Sequence, residues 1–188
     1  MSGRIPREAQ IMKKTLAIVL AASILAACAS TGNRVVREDV DGIVNFARIG
    51  TTVACAGAIT PDSVTDIKDM GFASIINLRR ASEEGANIDA EAAAADAAGI
   101  NFVHLPFGGP NLEHSVADDF LETITGSGTE PAFIHCAGGG RAATMWFIKR
   151  VIVDEWDVDR AMEEATALGL NPESRLREYA LSYVADKT

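Results

Sequence analysis

The chain has 188 residues, 48% of them apolar, with 17 Lys and Arg against 26 Asp and Glu for a net charge of −9. That length and apolar content set one packed domain of ordinary size. The acidic surplus argues against nucleic acid as a partner, because phosphate-backbone binding needs a basic face, and it means that any anion site must work by local geometry against a repulsive long-range field.

The first residues do not belong to that domain. Lys13 and Lys14 form a basic start, Leu16 to Ala27 is a short apolar run, and Cys28 follows at once. Twelve apolar residues are too few to span a bilayer, so residues 1–27 read as an export signal, with Met12 a possible true start. Leu25-Ala26-Ala27-Cys28 resembles the lipobox of bacterial lipoproteins, which implies cleavage before Cys28, lipid attachment to its sulfur and a membrane anchor. Ala29 stands where the inner-membrane retention signal of that family has an aspartate. A periplasmic protein anchored to the outer membrane of a Gram-negative bacterium is thus the expectation. An ordinary secretory signal with an incidental cysteine is the alternative. Residues 1–27 carry four basic side chains and one acidic one, so their removal brings the net charge to −12.

Residues 28–43 are polar and charged and read as the lipidated cysteine and a tether, and residues 44–188 read as the folded domain. Phe46 to Ile49 and Thr52 to Ala56 form short strands around Gly50. Thr60-Pro61 predicts a helix start with Val64, Ile67 and Met70 on one face and Gly71 at its end. Ala73 to Leu78 is a continuous apolar strand. An alanine-rich helix from Asp89 to Ala98 and a strand from Asn101 to Leu105 follow. Ser115 with Asp118 reads like a capping box, with Phe120, Leu121 and Ile124 on the buried side of its helix. Pro131 to Ile134 is a buried strand, and helices follow over Ala142 to Val153, Val158 to Leu168 and, after an Asn171 cap, Pro172 to Val184. Strands alternating with helices at this spacing predict an α/β fold. Its central sheet has four to five mostly parallel strands flanked by helices, with ligands bound at their carboxyl ends.

The strand ending at Ile134 runs into His135-Cys136-Ala137-Gly138-Gly139-Gly140-Arg141. Glycines let backbone N–H groups turn inward, and a following helix N-terminus adds positive potential. A cysteine at the base of such a loop is placed as a nucleophile beside a bound oxyanion. The motif resembles the signature of cysteine-dependent protein tyrosine and dual-specificity phosphatases. The wider chain resembles more closely the bacterial beta-lactamase hydrolase-like phosphatase family, through Asn45-Phe46, Ala56-Gly57, Ile75-Ile76-Asn77-Leu78-Arg79 and His104-Leu105-Pro106 in that order, over roughly residues 44 to 168. The resemblance implies a cysteine-phosphatase-like fold and a phosphorylated substrate. Cys136 would be the nucleophile, Arg141 a bidentate clamp on phosphate oxygens, and the N–H groups from Ala137, Gly138, Gly139 and Gly140 to Arg141 the anion-binding loop. His135 then orients the loop, or is a satisfied core histidine. Arg79, at another strand end, shares the same edge.

Three departures stand out. Four residues separate Cys136 from Arg141, where the tyrosine phosphatase signature has five; rhodanese-type sulfurtransferases share the shorter spacing. Ala142 follows the arginine, where phosphatases usually place a Ser or Thr, and Thr144 is the nearest hydroxyl. Gly108 and Gly109 stand where dual-specificity phosphatases carry their general-acid aspartate, which leaves Glu113, His114, Asp118 and Asp119 as replacements. A sulfurtransferase using the same cysteine, and a weakly catalytic anion- or partner-binding module, therefore remain as alternatives. Cys55 reads either as a small buried strand residue or as the partner of Cys136 in a reversible disulfide. The histidines and cysteines show no metal-ligand spacing, the glycine loop lacks the lysine of nucleotide-binding loops, and no metal or cofactor is expected.

Overall fold

The computed structural model describes residues 34–188. The expected export signal, Cys28 and the first part of the tether lie outside the described residues. A compact unit begins at Val35, inside the stretch assigned to the tether. There Val35–Arg37 forms an edge strand, β1, antiparallel to β2, Ala47–Ile49. A hairpin at Gly50 joins β2 to β3, Val53–Ala56, and the remaining strands are β4, Ser74–Asn77, β5, Asn101–His104, and β6, Ala132–His135. The sheet therefore has six strands, one more than expected, in the order β1-β2-β3-β6-β4-β5, and it is parallel from β3 to β5.

The last strand in sequence is inserted in the middle of the sheet. β6 pairs with β3 on one side and β4 on the other, and all four of its residues are buried. Alternation along a strand sends neighbouring side chains to opposite faces, which explains two separate cores. Phe133 stacks with Phe46 and meets Phe72 edge-on in a core covered by helices α1, Val64–Asp69, and α2, Ile88–Ala98. Ile134, together with Cys136 beyond it, joins the larger core on the other face. That face carries α3, His114–Thr125, α4, Gly140–Ile152, α5, Val158–Leu168, and α6, Arg175–Lys187. Among these, α4 is the most enclosed, with an unbroken buried run from Ala142 to Val151.

Element ends differ from expectation where side chains find tertiary partners. Glu113, not Ser115, caps α3, and Asp118 accepts a hydrogen bond from the Tyr183 hydroxyl at 2.6 Å and pairs with Lys187 at 2.7 Å. Thr60 makes no side-chain cap, and Pro61–Ser63 winds as a 3-10 turn before α1. Asn171 closes a turn by accepting from the Glu173 N–H, and α6 starts only after Ser174. The start of α4 at Gly140 matters most, because it places Arg141 in the first helical turn. Among the described residues no helix is long and apolar enough to cross a membrane.

Candidate active site

The backbone at the carboxyl ends of β3, β6 and β4 is locked together by cross-strand bonds. Cys136 N–H donates to the Ala56 carbonyl at 3.1 Å, Leu78 N–H to His135 at 2.9 Å and Ala58 N–H to Ala137 at 3.0 Å. Gly57 and Gly138 form an isolated bridge, and a Cβ at Gly57 would lie 2.9 Å from the Ala137 carbonyl oxygen, so the close approach of these loops requires a glycine there. Gly139, at φ +97°, turns the chain into α4. Its N–H donates to Cys136 Sγ at 3.1 Å, which places backbone positive potential and the N-terminus of a thirteen-residue helix at the sulfur. Ala137 and Gly138 are exposed, so the loop opens to solvent above a buried cysteine.

Arg141 is fixed along one edge of its guanidinium. Nη1 donates to Glu83 Oε1 at 2.7 Å, to the Phe107 carbonyl at 2.6 Å and to the Leu78 carbonyl at 3.1 Å, while Nη2 donates to Glu83 Oε2 at 2.7 Å. A guanidinium has five N–H groups in a plane. With Nη1 fully committed and one Nη2 hydrogen used, the Nε–Nη2 edge is left without an oxygen acceptor among the described residues, and the Cys136 sulfur is the neighbouring group that interacts with the guanidinium. Burial acts to lower the Arg141 pKa, but the Glu83 carboxylate and the neighbouring Cys136 sulfur raise it above its ordinary value. Burial likewise acts to raise the Glu83 carboxyl, and the hydrogen bonds from Arg141 and from the Arg80 N–H overcome it, bringing the group from 4.5 to about 2.

The glycines at 108 and 109 have a physical reason. Gly108, at φ +135°, sits where a Cβ would lie 3.0 Å from Arg141 Nη1, and Gly109, at φ +99°, where one would lie 3.1 Å from Arg80 Nη1. The space beside these two glycines is filled by guanidinium groups. None of the acids read from the sequence is seen hydrogen-bonded to Cys136 or Arg141. Glu113 and Asp119 are exposed, and Asp118 is held by Lys187 and Tyr183, whose hydrogen bonds lower its pKa. His114 lies against Tyr179 and Tyr183 and pairs with Asp186 at 3.3 Å. Thr144 is buried and donates its hydroxyl to the Gly140 carbonyl at 2.8 Å, which commits that proton within α4.

The remaining residues support the loop from behind. His135 is fully buried on the face opposite Cys136, with Nε2 3.2 Å from Glu91 Oε2 in a close but poorly aligned contact. Glu91 Oε2 accepts from Asn77 Nδ2 at 2.6 Å, and Asn77 Oδ1 accepts from the Arg79 N–H at 2.7 Å, so this cluster ties the end of β6 to the end of β4. Arg79 is buried and gives Nη1 to the Gly85 carbonyl and Nη2 to that of Glu84, which shapes the loop carrying Glu83 instead of facing the open edge. Cys55 and Cys136 are both free. Burial first, then the charges of Cys136 and Glu164, push the Cys55 thiol well up, so it stands as a neutral thiol beneath the site. Sequence reasoning missed Glu83 and Glu91. The first follows Arg79-Arg80 at a spacing of four and three, and the second falls on the apolar stripe of α2 with Ala95, a carboxylate where a core residue belongs. No cluster of His, Cys, Asp or Glu among the described residues could hold a metal ion.

A mostly parallel sheet that delivers a glycine loop and its arginine to the carboxyl edge is the arrangement of a phosphatase-like domain. The chain belongs to the family described as beta-lactamase hydrolase-like protein, phosphatase-like domain, whose profile matches residues 45–153. It is 31% identical over 103 residues to a beta-lactamase hydrolase-like protein of Agrobacterium fabrum, a match covering 54% of this chain and 24% of that protein. The chain thus spans about a quarter of the length of that relative. Its fold is similar to a crystal structure of a DUF442 protein from Shewanella putrefaciens, with TM-score 0.64 and 18% identity over 77% of this chain and 94% of the other. TpbA of P. aeruginosa, solved in complex with pTyr, is similar at TM-score 0.59 and 18% identity over 84% and 91%.

The Glu83–Arg141 pair has a consequence for pH. Because the folded-state pKa of Glu83 is depressed, the pair stabilises the fold fully above pH 4.5, and that contribution is lost as pH falls toward 2. Glu83→Gln removes this component, so urea denaturation across that window should show a shallower loss of stability than in the wild type, with kcat/KM near neutral pH reduced roughly tenfold through a loosened Arg141.

Proposed function

We propose that this protein is a cysteine-dependent phosphatase that hydrolyses a phosphomonoester through a cysteinyl-phosphate. The observation that carries the reading is the Arg141 guanidinium, held in place by Glu83 and two carbonyls next to the sulfur of Cys136, with its Nε–Nη2 edge bonded to no oxygen among the described residues. An anion seated on the loop would take that edge through two equatorial oxygens, and the remaining N–H groups would meet the charge that develops as phosphorus is attacked. The thiolate of Cys136 forms the S–P bond as the P–O bond to the leaving group breaks. Water then attacks phosphorus, the S–P bond breaks, the thiolate is regenerated, and inorganic phosphate leaves carrying the water's oxygen and protons. With glycines at 108 and 109, and with Glu83 committed as a carboxylate to Arg141, no protonated acid is placed to meet the leaving oxygen among the described residues, so aryl phosphates should turn over faster than alkyl ones.

The four-residue loop also suits a persulfide, which is the alternative chemistry. The two are separated by giving the purified, reduced protein an aryl phosphate and, separately, thiosulfate with cyanide. Phosphate release that disappears in Cys136→Ser and falls on the order of a hundredfold or more in Arg141→Lys supports the phosphatase. Thiocyanate formation supports the sulfurtransferase, and phosphate release that persists in Cys136→Ser contradicts both.

We further propose, from the sequence, that Cys28 is lipidated and holds the domain at the periplasmic side of a bacterial membrane. Cells given a palmitate analogue should label the wild type and not Cys28→Ala; labelling of the variant overturns the anchor.

A further inference from the structure

The cleft that Arg141 shares with the 108–112 loop and the start of α6 holds more positive charge than one phosphate needs. About 360 Å³ in volume, it is lined by Arg80, Arg141 and Arg175 with Glu83 as its single carboxylate, and Leu112 and Leu176 give it apolar walls. In a chain of net charge −9 this concentration of guanidinium groups is a local exception that needs a reason.

Neither Arg80 nor Arg175 is a loose surface side chain. Arg80 follows β4 and sets Nε 3.3 Å from Glu83 Oε1, and its Nη1 lies against Gly109. Arg175 opens α6 and donates Nη2 to the Pro110 carbonyl at 2.6 Å. The same short loop, 108–112, therefore borders both guanidinium groups, bonding Arg175 at Pro110 and leaving space for Arg80 at Gly109. Both side chains are exposed, and among the described residues neither Nη group of Arg80, nor Nε or Nη1 of Arg175, has an acceptor. The uncapped N-terminus of α6 adds its potential at the same rim. Each arginine is oriented by one side-chain bond, lines the cleft and keeps further donors without an acceptor among the described residues, the arrangement that favours a second anionic group over a neutral one.

We propose that Arg80 and Arg175 form a second anion subsite, and that the substrate is a small phosphoester carrying another phosphoryl group beside the scissile one. This rests on the phosphatase reading for the position of the first phosphate. A bisphosphate and a diphosphate share the chemistry that the subsite reads.

The test compares inorganic phosphate with pyrophosphate by calorimetry on the purified protein, in the presence of a chelator. Wild type should bind pyrophosphate about tenfold or more tighter than phosphate, the gain expected from one added set of charge-assisted hydrogen bonds, and Arg80→Ala/Arg175→Ala should bring the two within about threefold. Equal affinities in wild type, or a preference that survives in the double variant, overturn the subsite. Aryl phosphate turnover by the wild type is followed in parallel. Turnover without a pyrophosphate preference defeats the subsite alone, whereas a preference abolished in the double variant but without turnover supports the subsite and defeats the phosphatase reading.

Discussion

The bidentate contact between Arg141 and Glu83 is the constraint on which the rest of the site depends. An arginine in the first turn of a helix would otherwise sample many rotamers over an open loop, and ordering it on binding would cost affinity. Here both Glu83 oxygens and the carbonyls of Leu78 and Phe107 determine its plane. The structure around it follows. Arg79 shapes the loop that presents Glu83, and Gly108 gives up its side chain to leave room for Nη1. A side chain at that position would crowd the arginine, and with glycines there the proposed chemistry favours substrates whose leaving group needs little protonation.

The sheet topology sets the other half of the site. Because β6 enters last and lies between β3 and β4, the loop after it is bounded on both sides by parallel strands. Alternation then divides the labour between two adjacent residues: His135 turns into one core toward Glu91 and Asn77, while Cys136 turns into the other under α4. The same alternation puts Cys55 on the face of Cys136, since its register partner is Ile134, two residues before the cysteine.

Much of this was legible in the sequence because the signals are local. The buried run ending at Ile134, bounded by Pro131 and three glycines, identifies the strand and loop from composition alone, and Gly99 and Gly169 mark helix ends where they occur. What the sequence hid was decided by partners far along the chain. Asp118 looked like a cap because Ser115 is near, but its partners Tyr183 and Lys187 lie on α6. The stretch Arg34-Val35-Val36-Arg37 has the polarity of a tether and pairs only as an exposed edge, where Arg37 reaches the Ala167 carbonyl. Glu83 resembled any solvated loop carboxylate until the fold brought Arg141 to it across 58 residues.

The account stands on Cys136 as the atom that accepts phosphorus. Rapid acid quenching of the protein during turnover of an aryl phosphate, followed by mass spectrometry of its peptides, tests this directly. The account predicts a phosphate on the peptide that carries Cys136, with its amount rising as turnover approaches steady state. Steady turnover with that peptide unmodified throughout would contradict it.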